Sequence, residues 1–221
     1  MSPEIVRLII GALLDTLRMV AFSGALATAI GAPLGVFLAT SRAGELFAAP
    51  KWNGLLGLVV NATRSTPFII LVVAIIPFTR MIVGTAIGTN AAIVPLTIAA
   101  APFIARVVEA AIREVDAGLI EASIAMGATP LQIVRKVLLH EALPAITLGL
   151  TLTAVSLLAN SAMVGVVGGG GLGDLAIRYG YQRFMPDVMA SVVLVLIVLV
   201  QAIQSLGEAL ARRVNKRARR G

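Results

Sequence analysis

The sequence predicts an all-α integral membrane protein of about five transmembrane helices, with a helical insert between the third and fourth. Three observations predict it. Hydrophobic residues make up 58% of the 221 positions and charged residues only 13%, with a mean hydropathy of +0.97. Soluble domains are about half apolar and a quarter charged, so a soluble core cannot bury this much apolar surface. Uncharged runs long enough to cross a bilayer, ~20 residues each, recur along the chain. One stretch interrupts them: EASIAMGATPLQIVRKVLLHEALP, at 121–144, is amphipathic, charged and rich in helix-capping signals.

The elements follow in order, all within one domain spanning 1–221. The opening MSPEIVRLIIGALLDTLRMV carries Glu4 and Asp15 where a cleavable signal would have its basic and apolar regions. It reads as an interfacial amphipathic helix leading into the first span, 19–41. The second span falls at 54–79, with Arg64 inside the apolar run; Arg64 sits either near an interface, snorkelling, or towards the protein interior. A loop around 84–90 precedes the third span, 86–108. The fourth lies at 143–167 and leads into a glycine-rich exit, and the fifth lies at 188–210. Prolines 33, 67, 77, 95 and 102 fall in these runs. Each frees a carbonyl and bends its helix, and neighbouring helices must satisfy the backbone again.

An odd number of spans puts the termini on opposite sides. The tail at 212–220, RRVNKRARR, holds six basic residues directly after the last span, which places the C-terminus in the cytoplasm and the N-terminus outside. The loops carrying Arg42 and Lys51, and then Arg106, Arg113, Arg135 and Lys136, fall inside with it. With Arg64 unassigned, 12 basic residues lie inside and 5 outside. The net charge of +7 is therefore read as an orientation signal, and nucleic acid is not an expected partner. With no cysteine and a single histidine, His140, the chain offers no disulfide, thiol nucleophile or histidine metal cluster. No catalytic residue is expected.

The insert is built from local signals. Asp116 can cap a helix beginning at Ala117. Gly127 ends that helix, being the residue that takes a left-handed conformation at least cost. Thr129, Pro130 and Gln132 then form an N-cap, a first-turn proline and a capping box. The second helix runs to about Glu141, with Leu131, Val134, Val137 and Leu138 on its apolar side, and Pro144 opens the next span. The whole insert covers 117–141. On the residues alone two readings stand: a hairpin or linker lying against lipid, or a helix offered to a partner's groove.

Glu121-Ala122-Ser123, three residues, Gly127, then Val137-x-Leu139 resembles the EAA loop of ABC importer permeases, the binding-protein-dependent family. Ser123, Val137 and His140 depart from that family's Ala, Ile and Pro. Further segments, among them Arg64-Ser65-Thr66-Pro67-Phe68, Ala101-Pro102-Phe103-Ile104-Ala105-Arg106, Met126-Gly127-Ala128-Thr129-Pro130 and Gly170-Gly171-Leu172-Gly173, are similar to the methionine importer permeases over about 24–200. The resemblance implies a bacterial inner-membrane permease that moves methionine (D or L) or a similar amino acid inward by alternating access; the alternatives are another amino acid, an osmoprotectant or, in a different class, an ion-coupled carrier. It implies a homodimer, two ATP-binding subunits that hold ATP and Mg and dock on the insert at Glu121, Ala122, Ser123, Gly127, Ala128, Thr129 and Pro130, and a periplasmic or lipid-anchored substrate-binding protein. The chain itself would hold no cofactor or metal and would not be an enzyme.

The glycine run at 168–173 lacks the Lys-Ser or Lys-Thr of a phosphate loop, and reads as a backbone turn at the outer end of span four. Glu109, Glu114, Asp116 and Glu121 read as solvated, helix-capping charges. Ser156, Asn160, Ser161 and Met163 are candidate contacts along a substrate path, against the ordinary reading of such residues as helix-packing groups.

Overall fold

The computed structural model describes residues 3–215, so part of the basic tail lies outside the described residues. The described chain is helical, without strands: α1 Pro3–Thr40, α2 Pro50–Ser65, α3 Phe68–Ala74, α4 Ile76–Val83, α5 Thr89–Arg113, α6 Ala117–Ala125, α7 Pro130–Ile133, α8 Leu139–Val166, α9 Gly171–Leu175 and α10 Pro186–Val214. Three stretches are each long and apolar enough to cross a membrane: Thr89–Arg113, Pro130–Val166 and Pro186–Val214. The bent pair α2–α3 adds a fourth if taken as one span. The helices that qualify thus number three or four against the expected five, and the expected first span falls in α1, which is not among them.

Two expectations about boundaries change. The interfacial helix expected before Met19 is continuous with the first span, in one helix of 38 residues, about 57 Å long at ~1.5 Å per residue. The run at 54–79 is not one straight helix: α2 and α3 meet at 105°. Thr66 is extended (φ −85°, ψ 125°), as is Pro67 (φ −56°, ψ 133°), because a proline disfavours the helical region for the residue before it. Pro33, Pro95 and Pro102 lie inside unbroken helices.

α1 packs along α5 in the most extensive helix pair, α5 packs on α8, and α8 on α10. The core between them holds Met19, Leu96, Ile104, Val108, Leu138 and Leu157. Two glycines bring α1 and α5 close. A Cβ on Gly31 would stand 2.4 Å from the Ala101 carbonyl oxygen, and one on Gly35 would stand 2.4 Å from that of Ala105. Such close backbone approach replaces the hydrophobic drive that lipid does not supply. Hydroxyls buried at membrane depth bond back to their own helix: Ser23 donates to the Met19 carbonyl, Thr97 to Ile93 (2.7 Å) and Thr153 to Gly149 (2.8 Å).

At the far end from the insert, Ile9 of α1 packs with Leu172, Leu175, Val188 and Val192. The Leu172 N–H donates to Thr16 Oγ1 at 2.8 Å, and the Gly88 N–H donates to the Gly168 carbonyl at 2.9 Å. The glycine run thus makes a turn that tucks α9 under α1. Gly168, Gly170 and Gly171 all have φ near +80°, a region open to glycine at no steric cost.

Gly35→Ala should lower the thermal unfolding midpoint in detergent, since its Cβ meets backbone at 2.4 Å and Val108 Cβ at 2.7 Å, an overpacking that costs about 1–3 kcal/mol. Gly54→Ala, with nothing within 4 Å, should leave the midpoint unchanged or raise it.

Candidate functional site

The insert forms an elbow. Asp116 caps α6, its Oδ1 accepting from the Gly118 N–H at 2.7 Å. Gly127 adopts φ +79°, and the Ala128 N–H reaches back to the Ser123 carbonyl at 3.0 Å, so the last turn closes without a side chain. Gln132 Oε1 accepts from the Thr129 N–H at 2.9 Å, with Pro130 in the first turn of α7. Ser123 is buried and donates to the Leu119 carbonyl at 2.6 Å, whereas Glu121, Ala122, Gly127, Thr129 and Pro130 are exposed and Ala128 is half-buried. The elbow leaves Ile124, Met126 and Leu131 in the open at 55%, 80% and 58% exposure, with Arg135 and Lys136 exposed beside them.

The second helix of the insert does not stop near Glu141, and Leu143-Pro144 does not stop it either. α7 passes through one widened turn, Val134–Leu138, into α8, and the stretch Pro130–Val166 runs 37 residues with Pro144 inside it. At the membrane face a break would strand more carbonyls than the proline frees. The widened turn, in which the Leu139 N–H bonds the Val134 carbonyl, buries Ile133, Val134 and Leu138 while keeping Arg135 and Lys136 outward.

Glu109 is not a solvated charge. It is 4% exposed, and three guanidinium groups hold it. Oε1 takes Arg42 Nη2 and Arg113 Nε, each at 3.2 Å, and Oε2 takes Arg106 Nη1 at 2.5 Å. The same arginines reach further. Arg106 Nη2 donates to the Gly57 carbonyl (3.1 Å) and Asn61 Oδ1 (2.9 Å), and Arg113 donates to the Leu38 carbonyl (3.1 Å) and pairs with Glu45 (3.5 Å). One carboxylate thereby ties the ends of α1, α2 and α5 together just before the elbow begins. Glu114, Asp116 and Glu121 are exposed, as expected.

A second feature lies where α2 breaks from α3. A cavity of about 260 Å³ is lined by Arg64, Phe68, Phe103, Thr153, Ser156 and Asn160, among others. The Arg64 guanidinium carbon stands 5.7 Å from the Phe103 ring centre, so Arg64, though exposed, turns towards this cavity. Of the four candidate path residues, the structure brings Ser156 and Asn160 to this cavity. Ser161 is packed away, donating to the Leu158 carbonyl at 2.7 Å, and Met163 is half exposed and not among the lining residues. Phe103 and Thr153 were not candidates in the sequence; Thr153 lies three residues from the candidate Ser156, a spacing that could have found it, whereas no local signal marks Phe103. Among the described residues no group of three or more His, Asp or Glu side chains is placed to hold a metal.

A helical bundle with a hinged elbow on one face and a polar cavity at a helix break defines a membrane transport component. Residues 31–220 match the family of binding-protein-dependent transport system inner membrane components, and the chain belongs to that family. It is 58% identical over 210 residues to the probable D-methionine transport system permease protein MetI of Vibrio cholerae, covering 95% of this chain and 93% of that one. It is 53% identical over 165 residues to the D-methionine transport system permease protein MetI of Escherichia coli K12, covering 75% and 76%. Among solved structures it superposes on the MetNI methionine ABC transporter in an inward-facing conformation with a TM-score of 0.95, at 50% identity and covering 98% and 100% of the two chains. An amino acid ABC transporter at 20% identity shares the fold, with a TM-score of 0.78.

Glu109→Gln should destabilise the permease by about 1–3 kcal/mol. This is less than the 3–5 of a fully buried pair, because the arginine side chains are 24–53% exposed. Thermal unfolding in detergent checks it.

Proposed function

We propose that this chain is the transmembrane permease subunit of an ATP-driven importer that moves methionine, or a similar amino acid, into the cytoplasm. It sits in a bacterial inner membrane with its N-terminus outside and its C-terminus in the cytoplasm. Two copies pair around one translocation path. Two ATP-binding subunits, which hold ATP and Mg, dock on Glu121, Ala122, Ser123, Gly127, Ala128, Thr129 and Pro130. A periplasmic or lipid-anchored binding protein delivers solute to the opposite face. The MetI relatives support the substrate class.

One observation carries the mechanism: the elbow is continuous with the helix that lines the cavity. Pro130–Val166 has no break, and Ser156 and Asn160 lie about 26–32 Å along α8 from Leu139 at ~1.5 Å per residue. A partner that grips Ile124, Met126 and Leu131 therefore moves the cavity wall by tilting one stiff rod. Glu109 and its arginines carry the same displacement to α1, α2 and α5. ATP shifts the equilibrium between inward- and outward-open states only because the closed ATPase pair binds the elbow in one of them better than in the other. An ion-coupled carrier would need a titratable acid at the cavity, and no carboxylate is among its lining residues.

Gly127→Pro, which cannot take φ +79°, and Ala122→Arg, which puts bulk and charge on the docking face, should leave membrane insertion and basal ATP hydrolysis in place. Uptake of labelled methionine by proteoliposomes holding the full complex should fall about 5–150-fold, the loss of a typical coupling free energy. Normal transport by both variants would remove the docking role from the elbow.

A further inference from the structure

We propose that the cavity at the helix break is a subsite for a zwitterionic, apolar amino acid, in which Arg64 holds the substrate carboxylate. This rests on the importer reading above. Arg64 lies about 21 Å along α2 from Pro50, and Phe103 about 15 Å along α5 from Arg113, at ~1.5 Å per residue. Both figures place the cavity well inside the apolar stretches that α2–α3 and α5 form, where a charge is costly and calls for a partner.

Several other arginines have one. Arg42, Arg106 and Arg113 share Glu109, and Arg178 pairs with Asp174. Arg64 does not: among the described residues its contact is the Phe103 ring, and no carboxylate pairs with it. A ring against a guanidinium steadies the group while leaving N–H donors free for an in-plane, two-point grip on a carboxylate.

The rest of the cavity suits the other parts of such a solute. Ser156 and Asn160, one helical turn apart on α8, present side-chain oxygens that accept from an ammonium group. Phe103 and Leu157 supply apolar wall. The Thr153 hydroxyl is already committed to the Gly149 carbonyl at 2.8 Å, so Ser156 and Asn160 are the acceptors assigned to the amine. A cation without a carboxylate meets a like charge at Arg64, and a plain anion leaves the facing acceptors unmatched.

The test uses the purified permease–ATPase complex without nucleotide or binding protein, and equilibrium dialysis with labelled methionine. Wild type should bind methionine, and methionine amide, which lacks the carboxylate, should compete about ten- to hundredfold more weakly. Arg64→Gln should weaken methionine binding by a similar factor and abolish the preference over the amide. Arg64→Lys, keeping the charge but not the fork, should fall between. Equal unfolding midpoints across the three proteins show that folding is not the cause, and an Arg64→Met complex is the substitute if Arg64→Gln assembles poorly. Unchanged binding by Arg64→Gln, or equal competition by the amide on wild type, overturns the anchor and leaves the importer reading standing. Failure of wild-type proteoliposomes with the complete system to import methionine would instead remove the substrate, and this site with it.

Discussion

A single carboxylate holds the working face of this permease together. Glu109 is buried at the end of α5, and the arginines around it come from the loop after α1 and from the last two turns of α5 itself. Two of them also reach another element: Arg113 the Leu38 carbonyl of α1, and Arg106 the Gly57 carbonyl and Asn61 of α2. Three arginines on one carboxylate make a knot, because moving any one helix end alone would strand a charge with little access to water. The elbow starts seven residues later at Asp116 and inherits a fixed base.

The membrane-depth features follow from that rigid base. α1 and α5 are locked at Gly31 and Gly35 by backbone contact too close for any side chain. By contrast a proline breaks α2 from α3, and α8 continues from the elbow to the cavity through one widened turn. On the proposed reading, cavity and elbow are two ends of one lever. Arg64 sits where the broken helix faces that lever. Transport by such a device needs no chemistry in the permease; it needs a stiff connection and a site whose walls belong to elements that move relative to one another.

Local signals in the sequence were enough for the class and the elbow. The Asp116 cap, the Gly127 left-handed stop and the Thr129-Pro130-Gln132 start each act within a few residues, and each appears in the structure where the pattern puts it. What failed depends on partners distant in sequence. Glu109 looks solvated until Arg42, 67 residues away, is folded against it, although the Arg106–Glu109–Arg113 spacing of three and four already pointed to a helix-face pair. Prolines 33, 67, 95, 102 and 144 look alike locally. Pro67, like Pro77 further on, sits where the expected second span breaks, while the others lie inside helices. The widened turn at Val134–Leu138 has no local mark at all; it arises where α7 must meet α8 in register with the core. Arg64 could be placed only once α2, α5 and α8 were assembled around it.

The central claim is that an ATP-driven partner grips the elbow, and the absence of cysteine from the chain makes it directly measurable. Met126→Cys places one thiol at the elbow's tip, 80% exposed, and Ile82→Cys places one on α4, 57% exposed. In membranes containing the full complex, a short thiol-reactive cross-linker should join the Met126→Cys permease to the ATP-binding subunit and leave the Ile82→Cys protein unlinked. A thiol at position 126 that stays free while the motor subunit cross-links through another surface would contradict the account.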